Sequence, residues 1–358
     1  MAEHNQSESR SDSGRVPAGP GPAGSAPVAI LVNPMSGRDV RRLAARATNM
    51  THEAKRDIVA RVAAGADACG ATDIYVAREP FRIAAAALEY MNLGARTHVL
   101  TPPIRTTAED TETAVQAFLD AGCRTIVSLG GDGTNRAIVR ALGARAADVR
   151  LIPLSTGTNN VFPVLAEPTI AGMVAGLQAR GALAHAGLDQ RCKVLHLTGT
   201  GRYGLPVHDL GLIDAVLLRQ DHVGNLLPFD ADRIERMLLT RAEPASIGMS
   251  PIGGLIEPVY GDEDAGLLVE MGPGTRFRAP LSPGLFREVS VRRVTRVALG
   301  EPVDFPGEGV LAFDGDRDHT IPAGATLTVT VRRDGPWVID LPAAMRHAVA
   351  RRLIAGAA

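Results

Sequence analysis

The first half of the chain alternates short apolar runs with longer stretches in which apolar residues recur every three or four positions. The runs predict β-strands at 27–32, 72–76, 97–100, 124–129 and 149–154. The periodic stretches predict helices at 40–62, with a break near 48–49, and at 82–91, 107–121, 135–142 and 167–177. Strands that alternate with helices in this way indicate a doubly wound parallel α/β domain, whose ligand site lies at the carboxyl ends of its strands.

The pattern changes after about residue 188. Short β-branched runs separated by Gly, Pro and Asp predict a β-rich, sandwich-like domain over 189–335, with one helix expected from Arg233 to Leu239. Apolar residues at helical spacing from Leu341 predict an amphipathic helix, and we expect the segment 336–358 to pack back on the first domain, 27–188. Residues 1–26 are rich in Ser, Gly, Pro and charge, which predicts a disordered tail.

One stretch carries the strongest chemical signal. The apolar run that ends at Leu129 passes through Gly130-Gly-Asp-Gly-Thr134 directly into a helical stripe. A glycine-rich turn exposes backbone N–H groups, and the start of the helix adds partial positive charge, so the turn predicts an anion site, most simply for phosphate. Asp132 would repel phosphate unless a metal ion or a reacting hydroxyl lies between them. The combination therefore favours a phosphoryl-transfer site over a plain phosphate cradle.

Two further polar loops follow predicted parallel strands. Asn33, Ser36 and Gly37 come after the first strand, and the segment Thr156-Gly-Thr-Asn-Asn160 comes after the fifth. Both loops are expected at the ligand-facing edge of the sheet, where they could close on phosphate or ribose. Two alternatives stay open: the first loop is an ordinary turn, or the second caps the helix near Glu167.

A second acidic turn lies in the β-rich half, where an apolar run ends in Asp314-Gly-Asp316. Its simplest interpretation is a hairpin corner. Two carboxylates beside a glycine could also hold Mg²⁺ or accept a proton from a substrate hydroxyl.

Composition excludes several classes of protein. The chain has 38 basic and 39 acidic residues, which gives no large basic field for nucleic acid or an anionic membrane. Lys55 and Lys193 are the only lysines and neither follows a glycine, so the chain has no Walker P-loop. Three widely spaced cysteines indicate neither a disulfide framework nor a zinc site, and they favour a reducing cytoplasm. No apolar run approaches the roughly 20 residues of a membrane span, and no signal-peptide core is evident.

The three motifs, in this order, resemble those of the superfamily of NAD kinases, diacylglycerol kinases and sphingosine-type lipid kinases. The resemblance implies ATP with Mg²⁺, bound between the two domains. It implies catalytic roles for Asp132 or Asp316, a metal-ligand role for Asp314, and nucleotide contacts from Asn33, Ser36, Gly37, Gly130, Gly131, Gly133, Thr134, Thr156, Gly157, Thr158, Asn159 and Asn160. Several stretches are more closely similar to the acetoin-catabolism protein X group of NAD kinase-like proteins, among them 33–42, 155–162, 246–254 and 313–317.

The sequence departs from true NAD kinases at Ile213-Asp214, where those enzymes carry an Asn-Glu pair that contacts the dinucleotide. Isoleucine can neither donate nor accept a hydrogen bond there. The resemblance implies Asp214, the second residue of the pair, as the candidate substrate contact. The expected function is ATP-dependent phosphorylation of a hydroxyl of NAD or a related small molecule. The alternatives are a catalytically inactive nucleotide-binding regulatory protein associated with acetoin catabolism and a diacylglycerol-type lipid kinase. We expect a nucleotide or other small-molecule partner, no nucleic acid, no stable membrane association, and a possible homo-oligomer.

Overall fold

The computed structural model describes residues 24–37, 50–157, 160–184, 186–201, 204–225 and 229–354. Most of the predicted tail and the first part of the predicted helix at 40–62 lie outside these residues. The described helices are α1 (His52–Ala68), α2 (Ile83–Leu88), α3 (Glu109–Asp120), α4 (Asp132–Leu142), α5 (Pro168–Ala179), α6 (Ser250–Gly254) and α7 (Leu341–Ala350).

The strands fall into three sheets. They are β1 (Pro27–Val32), β2 (Asp73–Ala77), β3 (Arg96–Leu100), β4 (Thr125–Gly130), β5 (Arg150–Ser155), β6 (Asp189–Arg191), β7 (Val194–Thr200), β8 (Pro206–Gly211), β9 (Asp214–Leu218), β10 (Ile234–Leu239), β11 (Ala265–Ser282), β12 (Leu285–Ala298), β13 (Pro302–Pro306), β14 (Gly309–Phe313), β15 (Asp316–Ile321), β16 (Thr326–Arg332) and β17 (Trp337–Ile339).

The first sheet has seven strands in the order β3-β2-β1-β4-β5-β17-β6, and its first five strands are parallel. The helices α1, α5 and α7 pack on one face, where Val59, Val174 and Ala344 join a single buried cluster. The helices α3 and α4 cover the other face through Phe118 and Ile138. Because helices cover both faces, the domain is doubly wound as predicted. The late strands β6 and β17 extend this sheet, and α7 packs against α5.

The second half is built from two antiparallel sheets, which confirms the predicted β-rich domain. A six-stranded sheet has the order β12-β11-β10-β9-β14-β15, and a four-stranded sheet has the order β13-β16-β7-β8. Buried residues of both sheets, including Leu197, Leu217, Phe313 and Val329, form the core between them. A further cluster, which includes Ile252 of α6, covers the other face of the larger sheet.

The helix predicted from Arg233 to Leu239 is wrong. A short 3₁₀ turn at Ala231–Arg233 leads into strand β10, which pairs antiparallel with β9 on one side and β11 on the other. The spacing of Ile234, Met237 and Leu238 fits helical periodicity, but both sides of β10 receive hydrogen bonds from neighbouring strands, and that tertiary context overrides a short local pattern.

Within the part of the chain that the structure describes, no helix combines the length and the apolar character needed to cross a bilayer.

Candidate active site

A cavity of about 650 Å³ opens at the carboxyl ends of β1, β2 and β4, where the sequence pattern predicted a ligand site. Its walls come from the loop after β1, the segment after β2, the N-terminal region of α3, the start of α4 and the turn between β14 and β15. The predicted site residues that line it are Asn33, Ser36, Gly37, Gly131, Asp132, Gly133, Thr134, Gly157, Asn160, Asp314 and Asp316. Residues that are far apart in sequence, from both domains, therefore share one cavity.

The Gly130–Thr134 turn forms the floor of the site. Gly131 is the N-cap of α4 and offers no side chain to the free N–H groups of the first helical turn. The turn is held from within the protein, because Ser128 Oγ donates to Asn135 Oδ1 at 2.7 Å and Asn135 Nδ2 donates to the carbonyl of Gly131 at 2.9 Å. An uncapped helix start in a cavity wall is well suited to accept an anion.

Two glycines of this turn have different surroundings. A Cβ placed on Gly131 would lie 2.7 Å from Asn160 Oδ1, so a larger residue here would displace the Asn160 amide from its present position. A Cβ on Gly133 would meet only Asp316 Oδ2, at 3.7 Å, which is an ordinary contact. Gly133 therefore leaves space that faces the cavity and is not filled by the protein itself.

The loop after β1 is held by a buried lysine that the sequence did not mark as functional. Lys55, in the first turn of α1, is fully buried, and its Nζ donates to the carbonyls of Asn33, Pro34 and Ser36 at 2.7–2.8 Å. The Nδ2 of Asn33 in turn donates to Thr134 Oγ1 at 2.8 Å. This loop is thus tied both to α1 and to the Gly130–Thr134 turn, and it is not an ordinary exposed turn.

The loop after β5 contacts the other two. Ser36 Oγ lies 2.7 Å from Thr156 Oγ1, and the N–H of Thr156 donates to the carbonyl of Gly130 at 3.1 Å. Neither Thr156 nor Gly130 lines the cavity, and in this structure the two residues connect the loops. The predicted contacts Thr158 and Asn159 lie outside the described residues. The alternative that this loop caps the next helix is wrong, because the side chain of Glu167 caps α5.

The carboxylate of Asp132 borders the cavity. Its Oδ1 accepts hydrogen bonds from the backbone N–H of Phe162 at 2.9 Å and of Val161 at 3.2 Å, and its Oδ2 accepts from Val161 at 3.1 Å. Burial is the largest cause that raises the pKa of Asp132, and the nearby Asp314 carboxylate acts in the same direction. The N–H groups of Phe162 and Val161 lower it, and the net pKa is about 7. A carboxyl that titrates near neutral pH and borders a cavity is suited to exchange a proton.

The Asp314-Gly-Asp316 turn is a hairpin corner between β14 and β15, as its simplest interpretation predicted. Asp314 adopts a positive φ of 50°, and its carboxylate accepts hydrogen bonds from the N–H groups of Leu212, Ile213 and Asp214 at 2.7–3.2 Å. These bonds occupy the group that was predicted to hold a metal ion. The side chain of Asp316 is 43% exposed and also lines the cavity, so it is the more accessible acid of the turn.

The predicted substrate contact Asp214 does not reach the cavity. It is 7% exposed at the start of β9, and its Oδ1 has no hydrogen-bond partner among the described residues. Burial, followed by the charges of Asp314 and Asp132, raises the pKa of Asp214 well above its ordinary value. Ile213 beside it is also buried. In this structure the pair lies in the interior behind the cavity, and a contact between Asp214 and the acceptor stays a prediction.

Arg136 was also missed by the sequence analysis. It lies on α4 one turn after Asp132 and is only 3% exposed, yet its guanidinium contacts the second domain through Asp209, Leu210 and Phe313. The available signal was an arginine inside a buried helical stripe, next to Ala137 and Ile138. A charged residue in such a position needs a partner from elsewhere in the fold.

Charge distribution limits what the cavity can hold. Among the described residues that line it, Arg78 carries positive charge, while five carry carboxylates, namely Glu79, Asp110, Asp132, Asp314 and Asp316. Two of these acids serve local structure, since Glu79 accepts from the N–H of Phe81 and Asp110 accepts from that of Thr106. A polyphosphate would meet net negative charge here and would need cations beside it.

The chain matches two family models and is similar to several solved structures. Residues 28–181 match the family model of the ATP-NAD kinase N-terminal domain, and residues 193–334 match that of the acetoin catabolism protein X C-terminal domain. The crystal structure of yeast NADH kinase complexed with NADH has the same fold, with a TM-score of 0.51 and 15% identity over 91% of this chain and 86% of that one. A diacylglycerol kinase structure from Bacillus anthracis has a TM-score of 0.44 and 15% identity, over 89% of this chain and 98% of that one.

The parallel domain with its Gly-Gly-Asp-Gly turn, followed by the antiparallel sheets, defines a protein with the NAD kinase-like fold. Over 345 residues the chain is 33% identical to acetoin catabolism protein X of Cupriavidus necator, a match that covers 90% of this chain and 92% of that protein. The chain belongs to the acetoin catabolism protein X family, which confirms the resemblance inferred from its motifs.

Proposed function

We propose that the protein is an ATP-dependent phosphotransferase that uses Mg²⁺ and transfers the γ-phosphoryl group to a hydroxyl of NAD or a related small molecule. One observation carries the proposal: the carboxylate of Asp132, with a pKa of about 7, borders the same cavity as the unfilled space at Gly133 and the exposed carboxylate of Asp316. A proton acceptor, a phosphate cradle and a metal ligand are the parts that phosphoryl transfer needs.

The phosphate donor would be held by the Gly130–Thr134 turn. The uncapped start of α4 offers N–H groups, and Gly133 leaves room for phosphate oxygens. Yeast NADH kinase, which has the same fold, was crystallised in complex with NADH, and this supports a nucleotide as a ligand here.

Magnesium would be held chiefly by Asp316. The chemistry of the donor set fits, because hard divalent cations prefer carboxylate oxygens and the cavity carries five carboxylates to one guanidinium. Asp316 suits this role better than Asp314, whose oxygens already accept three backbone N–H groups. Mg²⁺ would neutralise charge on the transferring phosphoryl group.

Asp132 would accept the proton of the acceptor hydroxyl as the oxygen attacks the γ-phosphorus. The N–H groups of Val161 and Phe162 hold its carboxylate in one orientation, so little reorganisation accompanies the proton transfer. Because the pKa of Asp132 is about 7, the group is largely ionised above neutral pH and can also release the proton after transfer.

The test is the transfer of labelled γ-phosphate from ATP, with Mg²⁺, to a panel of NAD, diacylglycerol and a sphingoid base. We expect label in NAD or a related nucleotide, and none when Asp132 is replaced by Asn. Label in the lipid acceptors alone would favour the lipid-kinase alternative. A blank panel, in protein shown to bind ATP by calorimetry, would refute the enzymatic proposal.

A second candidate is a nucleotide-binding regulatory protein that has lost the transfer reaction. The burial of Asp214 and Ile213 favours it, because the position where NAD kinases contact the dinucleotide offers no exposed polar group here. Such a protein would bind ATP or NAD with equal affinity in the wild type and in Asp132→Asn, and it would give the blank panel described above.

A further inference from the structure

The side chain of Arg136 joins the two halves of the site. Its Nε donates to the carbonyl of Leu210 at 2.6 Å, and its Nη2 donates to Asp209 Oδ2 at 2.7 Å. These two hydrogen bonds anchor the side chain to β8. Its Nη1 donates to the carbonyl of Phe313 at 3.3 Å and to Asp318 Oδ2 at 3.1 Å. These last two residues flank the Asp314–Asp316 turn on either side.

The guanidinium of Arg136 pairs with two members of an acidic cluster. Asp209, Asp318 and His319 bring possible ligand atoms within 4.8 Å of one another, and this cluster is charge-compensated by Arg136 and Arg140. Arg136 is 4% exposed at its side chain, and the Phe313 ring lies 5.5 Å from its guanidinium carbon. It does not line the cavity, so it has no access to a bound nucleotide.

The position of Arg136 links its contacts to the reacting groups. Asp132 begins α4, and Arg136 follows one helical turn later on the same rigid element. Its Nη1 lies 3.9 Å from Asp316 Oδ2, beyond a hydrogen bond but within ion-pair distance. The guanidinium carries its donors on three separate nitrogens in a fixed plane, and so it reaches partners on β8, β14 and β15 together. The single Nζ of a lysine cannot reproduce that spread of donors.

We propose that Arg136 is a positioning residue, which sets the Asp314–Asp316 turn against Asp132 and thereby controls metal binding and turnover without contacting the ligand. This inference rests on the proposed function for its kinetic part only. Its structural part is the placement of Asp316. Metal affinity measures that placement even if the protein catalyses no phosphoryl transfer.

The test compares Arg136→Lys with Arg140→Lys. Arg140 lies one turn further along α4 and pairs with the same Asp209, but its other partner is Glu112, and its side chain is 38% exposed. Both variants keep a positive charge on the helix. Mn²⁺ serves as the probe, with its affinity measured by electron paramagnetic resonance in the presence of ADP, and kcat and KM for ATP are measured where transfer occurs.

In Arg136→Lys we expect Mn²⁺ affinity to fall about tenfold and kcat about 100-fold, while KM for ATP changes less than about threefold, since a small misplacement of reacting groups acts on turnover. Arg140→Lys should change none of these by more than about threefold. Equal effects in the two variants, or an unchanged Mn²⁺ affinity in folded Arg136→Lys, would overturn the proposal. If Arg136→Lys shows the expected fall in Mn²⁺ affinity but the wild type transfers no phosphoryl group, the kinase function is refuted and the positioning role stands.

Asp318→Ala provides a second variant in case Arg136→Lys does not fold. Asp318 is 44% exposed at its side chain, and its removal takes away one anchor of the guanidinium beside the turn. We expect Mn²⁺ affinity to fall by about fivefold, in the same direction as for Arg136→Lys and by more than any change in Arg140→Lys. Unchanged affinity in this variant would contradict the proposal.

Discussion

Two Asp-Gly turns face the cavity from opposite domains, and they present their acids in different ways. In the Gly130–Thr134 turn, the acid before the glycine, Asp132, borders the cavity and titrates near neutral pH. In the Asp314–Asp316 turn, the acid before the glycine is engaged by three N–H groups, and the acid after it is exposed. Backbone N–H groups hold Asp132 and Asp314 alike. The two turns differ because only the second carries a further acid after its glycine, Asp316, whose side chain is partly exposed.

The largest expected effect tests the first turn. Replacing Asp132 with Asn keeps the shape of the side chain but removes the proton acceptor, so we expect kcat to fall about a thousandfold with ATP affinity nearly unchanged. Steady-state kinetics and calorimetry measure the two quantities. Asp120→Asn, at an exposed position whose side chain is 74% accessible, is the control. Wild-type turnover in Asp132→Asn would move the base role to Asp316.

The second turn should divide its roles between its two acids. Asp316→Asn should lower kcat about 100-fold and weaken Mg²⁺ binding, since an exposed carboxylate is lost from the cavity. Asp314→Asn should instead lower the free energy of unfolding by about 1–3 kcal/mol, because the backbone N–H groups lose a charged acceptor. Denaturant unfolding and metal titration separate the two outcomes. A reversal of these two phenotypes would show that Asp314 is the metal ligand.

A smaller effect is expected from the glycines of the first turn. Gly133→Ala adds a methyl group to space that faces the cavity, so we expect ATP affinity to fall about tenfold with unchanged thermal stability. Gly131→Ala would collide with Asn160 and should lower the melting temperature. Calorimetry and thermal unfolding of both variants provide the comparison. Full ATP affinity in Gly133→Ala would place the phosphates elsewhere.

An effect of a different kind is a dependence of stability on pH. The pKa of Asp132 is about 7 in the folded protein against an ordinary value of 3.8, so the folded state binds this proton more tightly than the unfolded state. Between those two values, the contribution of Asp132 to the free energy of unfolding falls as pH rises. Asp132→Asn should therefore lose less stability than the wild type between pH 4.5 and about pH 7.5. Melting temperatures measure this, and equal losses would contradict the raised pKa.

The fold and the location of the site were predictable because their signals are local. Apolar runs and helical spacing gave the parallel domain, and the strand, turn and helix around Asp132 marked the ligand edge of the sheet. The features that the local pattern did not reveal depend on distant partners. The segment 234–239 is a strand because β9 and β11 pair with it, and Asp214 is turned inward by the sheet to which it belongs.

The same limit explains the residues that were overlooked. The partners of Arg136 are 73 to 182 residues away in sequence, and those of Lys55 are 19 to 22 residues away in a loop without regular structure. No periodicity encodes such contacts. A charged residue in a buried apolar stripe indicates that a partner exists, but the sequence pattern does not identify that partner.

Lys193 repeats the arrangement of Lys55 in the second domain. It is 3% exposed, and its Nζ donates to the carbonyls of Tyr260, Glu263 and Ala265 at 2.7–3.0 Å. Both side-chain amines of the chain are thus sequestered, each by one loop. Acylating reagents should modify either lysine only when its loop opens. The rates of labelling at Lys55 and Lys193, measured by mass spectrometry, therefore report the local opening of each loop separately.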